Sequence, residues 1–299
     1  MKYRSILEEK DWLEDLQYPK EQTMKRIIVP VDFSDTSRNA ARYAAVLAND
    51  IPESEVLLYH VFDGRSAGSD GSLLADESDA QQVISENALN NLRSEILPLT
   101  ESVVGILAEP GNLSANLEKL VSRNGLDLVI MGITASNAFE QVIVGSSTLQ
   151  VIRKDSFPVM IIPEGAHYSR IRTALFASDF IDVEKTTPVA ALRSLLNLFR
   201  PTLHVIHIDE SQQARPGEGF LKDKHAMDAL LQGFNPEYHF IPTKDFTQGI
   251  SNFVRDNQVD LIITIPHHHS FLADLFTKTH TEKLAYQARV PVLAVHDQR

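Results

Sequence analysis

An internal repeat constrains the fold of this chain more than any other feature of its sequence. The apolar segment that starts at Asp127 reappears at Asp260, 133 residues later, and the front of each half matches at a longer offset of 147 residues, which carries Asp32 onto Asp179. The second copy is therefore shorter by the difference between the offsets, 14 residues. We place the loss in the polar segment 64–77, whose composition is typical of a loop. This duplication predicts two domains that have the same fold.

Each copy of the repeat alternates apolar runs with amphipathic segments. Continuous apolar runs are typical of strands buried on both faces, and their alternation with helices predicts a parallel, doubly wound sheet. We therefore predict an α/β fold of two tandem doubly wound, Rossmann-like domains, each with a five-stranded parallel sheet. Residues 24–165 form the first domain, 170–299 the second, and 1–23 an N-terminal extension. The predicted strands are 26–31, 55–62, 103–107, 127–131 and 158–162 in the first copy, and 173–177, 203–208, 236–241, 260–264 and 291–295 in the second.

Charge and composition argue against several classes of protein. The 299-residue chain has 40 acidic and 28 basic residues, which gives a net charge of −12 with histidine neutral. Such a surface does not neutralise the phosphates of nucleic acid or attract an anionic membrane, so we expect neither as a partner. No apolar run is long enough to span a bilayer, the first residues lack the apolar core of a secretory signal, and cysteine is absent. We therefore expect a cytoplasmic protein.

The candidate ligand site lies where the strands of the first copy end. Ligands of doubly wound sheets bind beyond the carboxyl ends of the strands, which brings together Asp32, Val61 and the segment 132–148. Gly132 would allow a tight turn after its strand, and Gly145 precedes three hydroxyl residues at a predicted helix N-terminus, where N–H groups and the helix dipole favour an anion. Hydroxyl residues are equally typical of an ordinary N-cap, and Asp32 too could contact a ligand, cap the next helix, or do both.

Taken in order, these motifs resemble those of the universal stress protein family. Pro30-Val-Asp-Phe-Ser34 resembles the family's first strand end, His60-Val61 its second, and Pro158-Val-Met-Ile-Ile162 its closing strand. The resemblance covers residues 24–164 strongly and 172–297 more weakly. The family's nucleotide pattern is Gly, two residues, Gly, nine residues, then Gly followed by Ser or Thr. Its four places are filled here by Gly132, Ala135, Gly145 and Ser146, with Ala135 replacing the second glycine.

The resemblance implies an adenine-nucleotide-binding fold and a cytoplasmic stress-response protein with a regulatory role. ATP or another adenine nucleotide is the implied ligand, with Mg as an accompanying ion. Slow ATP hydrolysis is compatible with the family, but no catalytic residue can be identified. A methyl group at Ala135 would push the backbone away from the phosphates or require a positive φ, which costs about 1 kcal/mol. The implied nucleotide contacts are Asp32 and the Val61 backbone at the adenine, with Pro30 and Val31 beside it, Met131 and Gly132 along the ribose and phosphates, and Ala135, Gly145, Ser146, Ser147 and Thr148 around the phosphates.

The second copy departs from the nucleotide pattern. Large side chains occupy its glycine-type positions, so we expect the second domain not to bind ATP in the family's way and to serve as a partner or structural half. The family's homodimers pack through their fifth strands, and the resemblance therefore implies an intramolecular pseudo-dimer of the two domains, with a homodimer also open. The replacements are Gly132 by Ile265, Ala135 by His268, Gly145 by Lys278 and Ser146 by Thr279.

Three consecutive histidines, His267, His268 and His269, raise the alternative of a metal site because imidazole suits Zn²⁺. Adjacent side chains point in different directions, and the chain has neither cysteine nor an HExxH motif, so we predict a polar loop there and no metal ligands.

Two other functions remain open at this point. The first is a non-nucleotide ligand-binding or protein-interaction module of the same fold. The second is an enzyme that cleaves ATP to pyrophosphate, which we rank last because the segment after the first strand contains no glycine.

Overall fold

The computed structural model describes residues 25–63, 74–121, 127–136, 141–143, 151, 157–208, 218–243, 246–265 and 290–296. Within these residues the chain forms an α/β fold of two similar halves. The strands are β1 (Lys25–Pro30), β2 (Ser54–Phe62), β3 (Val103–Pro110), β4 (Asp127–Ser136), β5 (Gln141–Ile143), β6 (Val159–Pro163), β7 (Thr173–Ala177), β8 (Thr202–Ile208), β9 (Glu237–Ile241), β10 (Leu261–Thr264) and β11 (Val292–Ala294). The helices are α1 (Asp35–Ala48), α2 (Leu74–Ile96), α3 (Leu113–Leu120), α4 (Val183–Thr186), α5 (Val189–Phe199), α6 (Glu218–Leu230) and α7 (Phe246–Asp256).

Ten of the described strands form one continuous sheet in the order β3-β2-β1-β4-β6-β11-β10-β7-β8-β9. The five strands of the first half are parallel to one another, and so are the five of the second half. The predicted fold class is therefore confirmed. At the centre of the sheet β6 pairs with β11 in antiparallel register, with Met160 opposite Leu293. These two residues occupy equivalent positions of the repeat.

Apolar side chains are buried on both faces of this sheet, and the buried cluster on each face includes residues of both halves. Successive side chains of a strand point to opposite faces, and Ile27 and Ile28 accordingly belong to different clusters of buried side chains. The first cluster extends to Phe176 in the second half, and the other extends to Leu175. Among the described residues no helix is both long and apolar enough to cross a membrane.

The repeat extends to individual contacts at the strand ends. Nδ1 of His60 lies 2.6 Å from the carbonyl oxygen of Val31, and Nδ1 of the equivalent His207 lies 3.2 Å from that of Ser178. The residue after each strand-end aspartate, Phe33 or Phe180, has a positive φ, 65° and 55° respectively. Bulky residues rarely adopt this conformation, so the sharp turn after the first strand is a shared structural feature of both halves.

The connection between the halves packs on helix α1. The hydroxyl of Tyr168 donates to Oδ2 of Asp50 over 2.6 Å, and its ring meets the edge of Tyr43 at 5.2 Å. The side-chain amide of Asn39 donates to the carbonyl oxygen of Ala166. These contacts fix the short connection against the first half.

The predicted end of the fourth strand at Met131 is wrong. Strand β4 continues through Gly132 to Ser136, and its last residues pair with the antiparallel β5, with Ala135 opposite Val142. Gly132 is therefore not a turn residue. Ala135 lies in extended backbone, so the positive φ considered for it is not required. The predicted loop 64–77 is also too long, because α2 begins at Leu74.

Arg26 and Asp127 form an ion pair at the amino ends of β1 and β4, opposite the candidate ligand site, and its contribution to stability can be tested. Asp127 is 1% exposed and receives two hydrogen bonds from Arg26, whose guanidinium also donates to the carbonyl oxygen of Leu120. Asp127→Ala would leave the Arg26 cation partly buried and without its counterion, so we expect the free energy of unfolding to fall by about 3 kcal/mol. Asp256→Ala removes the exposed partner of Arg255 and should cost less than about 1 kcal/mol. Urea denaturation measures both changes, and equal losses would contradict the prediction.

Candidate functional site

A cavity of about 390 Å³ lies at the carboxyl ends of β1, β2 and β4, beside the start of α1 and α3. This volume lies within the range typical of small-molecule sites. Strands β1 and β4 are neighbours on the two sides of the point where the strand order reverses, which is where doubly wound sheets bind ligands. The cavity brings together six residues predicted from the sequence: Pro30, Val31, Asp32, Val61, Met131 and Gly132.

Asp32 shapes the turn from β1 into α1. Its Oδ1 accepts hydrogen bonds from the backbone N–H of Ser34 over 3.0 Å and from the Ser34 hydroxyl over 2.5 Å. Ser34 is the N-cap of α1, and its side chain accepts from the N–H of Ser37. Asp32 therefore holds the capping residue in place rather than capping the helix itself.

Hydrogen bonds within the turn between β1 and α1 keep the Asp32 carboxylate charged. Partial burial raises its pKa, but hydrogen bonds from the Ser34 and Ser37 hydroxyls and from the Ser34 backbone N–H outweigh burial, so the pKa lies below its ordinary value. The carboxylate is consequently an acceptor at neutral pH, and its side chain remains accessible from the cavity.

Gly132 allows α1 to approach β4 at contact distance. A Cβ atom at this position would lie 2.2 Å from the carbonyl oxygen of Thr36 and 3.2 Å from the backbone nitrogen of Ser37. Only a glycine leaves room for that approach. As a result the first turn of α1, with the side chains of Thr36 and Ser37, becomes one wall of the cavity.

The opposite wall comes from the ends of β2 and β3 and from α3, a contribution that the sequence interpretation missed. Gly111, which has a φ of 133°, bonds through its N–H to the carbonyl oxygen of Phe62 and so ties the two strand ends together. Asn112 follows as the N-cap of α3, with its side chain accepting from the N–H of Ala115. A Gly-Asn pair between a strand and a helix at the ligand edge was the available signal. Further lining residues absent from the prediction are Ser34, Thr36, Ser37, Tyr59, Phe62, Asp63, Leu113 and Ser114.

The remaining predicted contacts are only partly within the described structure. Ala135 is in β4, and Gly145, Ser146, Ser147 and Thr148 lie outside the described residues, as do His267, His268 and His269. The cavity therefore presents strand-end backbone, hydroxyl groups and the N-termini of two helices, which suit a ligand with both an apolar ring and polar substituents. Its described lining includes Asp32 and Asp63 but no Lys, Arg or His.

The equivalent edge of the second half is built differently. The helix that follows β7 is interrupted at Pro188, which lacks an N–H and holds Thr187 in an extended conformation, so that the segment forms α4 and α5 instead of one helix. Ile265 replaces Gly132 and packs against the core. A side chain therefore stands at the position where the first half has a glycine against its helix.

Comparison with known proteins agrees with this architecture. The family model described as "Universal stress protein family" matches residues 23–163 and 181–296, one region in each half. The chain belongs to the universal stress protein family. The two matched regions make it a tandem member, which confirms the resemblance drawn from its motifs.

Individual universal stress proteins match either one half or the whole chain. MJ0577 of Methanocaldococcus jannaschii is 27% identical over 154 residues, covering 46% of this chain and 94% of its own. Slr1230 of Synechocystis is 25% identical over 295 residues, covering 90% of this chain and 99% of its own. The crystal structure of a universal stress protein from Archaeoglobus fulgidus covers 91% of this chain and 98% of its own, with 17% identity and a TM-score of 0.65, a likeness of fold.

Proposed function

We propose that the first half of this universal stress protein binds ATP or a related adenine nucleotide. The observation that supports the proposal is the cavity at the ends of β1, β2 and β4, which gathers six predicted contact residues from three segments that are distant in sequence. Elsewhere in the family, one universal stress protein has been crystallised in complex with cAMP, so an adenine nucleotide is a ligand of that protein.

The polar groups of the cavity suit the two ends of such a ligand. An ionised Asp32 accepts hydrogen bonds only, and the exocyclic amine of adenine offers a donor, whereas guanine has a carbonyl oxygen at that position. Val31 and Val61 provide apolar contact for the base. The phosphates would be held by backbone N–H groups and hydroxyls at the helix N-terminus that the sequence predicts after Gly145, with Mg²⁺ offsetting the charge of Asp32 and Asp63.

The proposed role is regulatory rather than catalytic, in a cytoplasmic response to stress. The cavity's described lining includes no histidine or lysine to activate a nucleophile. We further propose that the second half serves as the built-in partner of the first, in an intramolecular pseudo-dimer. Support for this comes from the antiparallel pairing of β6 with β11 between equivalent residues.

The direct test is mass spectrometry of the small molecules released on denaturing the protein after gentle purification. We expect an adenine nucleotide, and we expect added ATP to raise the melting temperature because a ligand that binds only the folded state stabilises it. If no nucleotide is released and neither ATP, ADP nor AMP changes the melting temperature, the proposal is wrong.

Matched aspartate variants test where the nucleotide binds. We expect Asp32→Ala to weaken ATP binding about 10-fold, because a hydrogen bond to a charged group contributes about 1.5 kcal/mol. Asp179→Ala removes the equivalent carboxylate, which accepts from the N–H of Ile181, and should leave ATP affinity unchanged. Isothermal titration calorimetry measures both affinities. If Asp179→Ala weakens ATP binding more than Asp32→Ala does, the nucleotide binds in the second half and the proposal is wrong.

A further inference from the structure

A second cluster of polar side chains lies in the other half of the molecule, on neighbouring strands at the edge of the sheet. His204 of β8 pairs in register with Glu237 of β9, and His239 follows two residues later on the same face. Nδ1 of His204 lies 3.0 Å from Nε2 of His239 and 3.4 Å from Oε2 of Glu237. The three donor atoms all lie within 4.8 Å of one another.

These separations match the edges of a metal coordination shell. Ligands that bind Zn²⁺ at about 2.0–2.1 Å in tetrahedral geometry stand about 3.3 Å apart. Two of the three separations, 3.0 and 3.4 Å, lie close to that value and the third is within 4.8 Å, so small side-chain rotations would bring the three atoms around one ion.

The chemistry of the cluster also favours a cation. Each neutral imidazole can place its proton on the ring nitrogen that faces away from the cluster, which leaves the facing nitrogen free to bind a cation, and the Glu237 carboxylate can only accept when it is ionised. His204 is buried and is packed with His239 around the ring of Phe253, which restricts both imidazoles. Glu237 is exposed, so the site is open to entry of an ion and to water as a fourth ligand.

We propose that His204, Glu237 and His239 form a binding site for a divalent first-row transition-metal ion, with zinc as its natural probe. Two imidazoles and one carboxylate are a ligand set used for such ions. The site is separate from the nucleotide cavity, because it lies on the outer strands of the second half. Sequence spacing alone did not reveal it, since its ligands come from two strands whose register only the fold defines.

The test is calorimetric titration of the full-length protein with zinc chloride in a buffer that does not chelate zinc. We expect the wild-type protein to bind zinc with a dissociation constant tighter than about 10 μM. Glu237→Gln and His239→Gln should each weaken this binding by about 100-fold or more, since even loss of a residue that only supports a ligand costs up to that factor. Both replaced side chains are at least partly exposed, so these variants should fold.

Two controls separate the cluster from other histidines. His225→Gln removes an exposed histidine of α6 and should leave zinc affinity unchanged. A variant with glutamine at positions 267, 268 and 269 should retain the binding that Glu237→Gln removes. The proposal is overturned if the wild-type protein does not bind zinc in this range, or if binding survives Glu237→Gln and His239→Gln. Circular dichroism of each variant with a changed affinity must match that of the wild type.

Discussion

Gly132→Ala is expected to lower the free energy of unfolding by about 3 kcal/mol, the upper end of what overpacking usually costs. The added methyl group would stand 2.2 Å from the carbonyl oxygen of Thr36, a backbone atom that cannot rotate away. Either α1 shifts along its whole length or β4 bends away from it. Both responses separate the helix N-terminus from the strand end, so we also expect ATP affinity to fall by about 100-fold, or about 2.7 kcal/mol.

Gly105→Ala provides the matched control for this change. Gly105 also lies in a strand of the first half, but a Cβ there would meet Cδ1 of Leu57 at 3.4 Å, which is ordinary contact. Alanine should therefore be tolerated, with a change in unfolding free energy within about 1 kcal/mol, because it also removes the backbone freedom of glycine from the unfolded chain. Urea denaturation measures the unfolding free energy of the two variants, and calorimetric titration measures their ATP affinity. Similar behaviour of both would show that close approach at Gly132 is unimportant.

Much of the fold could be predicted because the repeat supplies each strand twice. Asp32 and Val61 could be assigned to the ligand edge because apolar strands end there, and parallel strands end together. The function of Gly132 was misread, since a glycine after an apolar run suggests a turn, whereas its structural role is set by Thr36, nearly a hundred residues earlier. No local sequence pattern indicates the contact between Gly132 and Thr36.

The wall formed by Gly111 and Asn112 was missed for a related reason. Their sequence indicates a helix that starts directly after a strand, and the pairing of β2 with β3 brings that start beside Val61. The same holds for the interrupted helix of the second half. Pro188 marks the break in the sequence, but only the fold places that break at the edge equivalent to the nucleotide cavity, where Ile265 replaces Gly132.

Val61→Trp is expected to abolish ATP binding while the protein remains folded. Val61 is the penultimate residue of β2 and lines the cavity, and an indole there would occupy the space proposed for adenine. Because Val61 is only partly buried, the larger side chain can extend into the cavity without displacing the core. We expect affinity to fall by at least about 100-fold, beyond what removal of one hydrogen bond would cause, since the base itself is excluded.

Ile208→Trp is the control that distinguishes exclusion of the nucleotide from a general loss of protein stability. Ile208 ends β8 at the position equivalent to Val61, and both residues pack at the margin of the same core cluster. If only the first half binds nucleotide, Ile208→Trp should leave ATP affinity unchanged even where it lowers the melting temperature, because Ile265 and the break at Pro188 already alter that edge. Loss of binding from Ile208→Trp alone would instead make the second half the nucleotide site, and equal loss from both would indicate that each half depends on the other through β6 and β11.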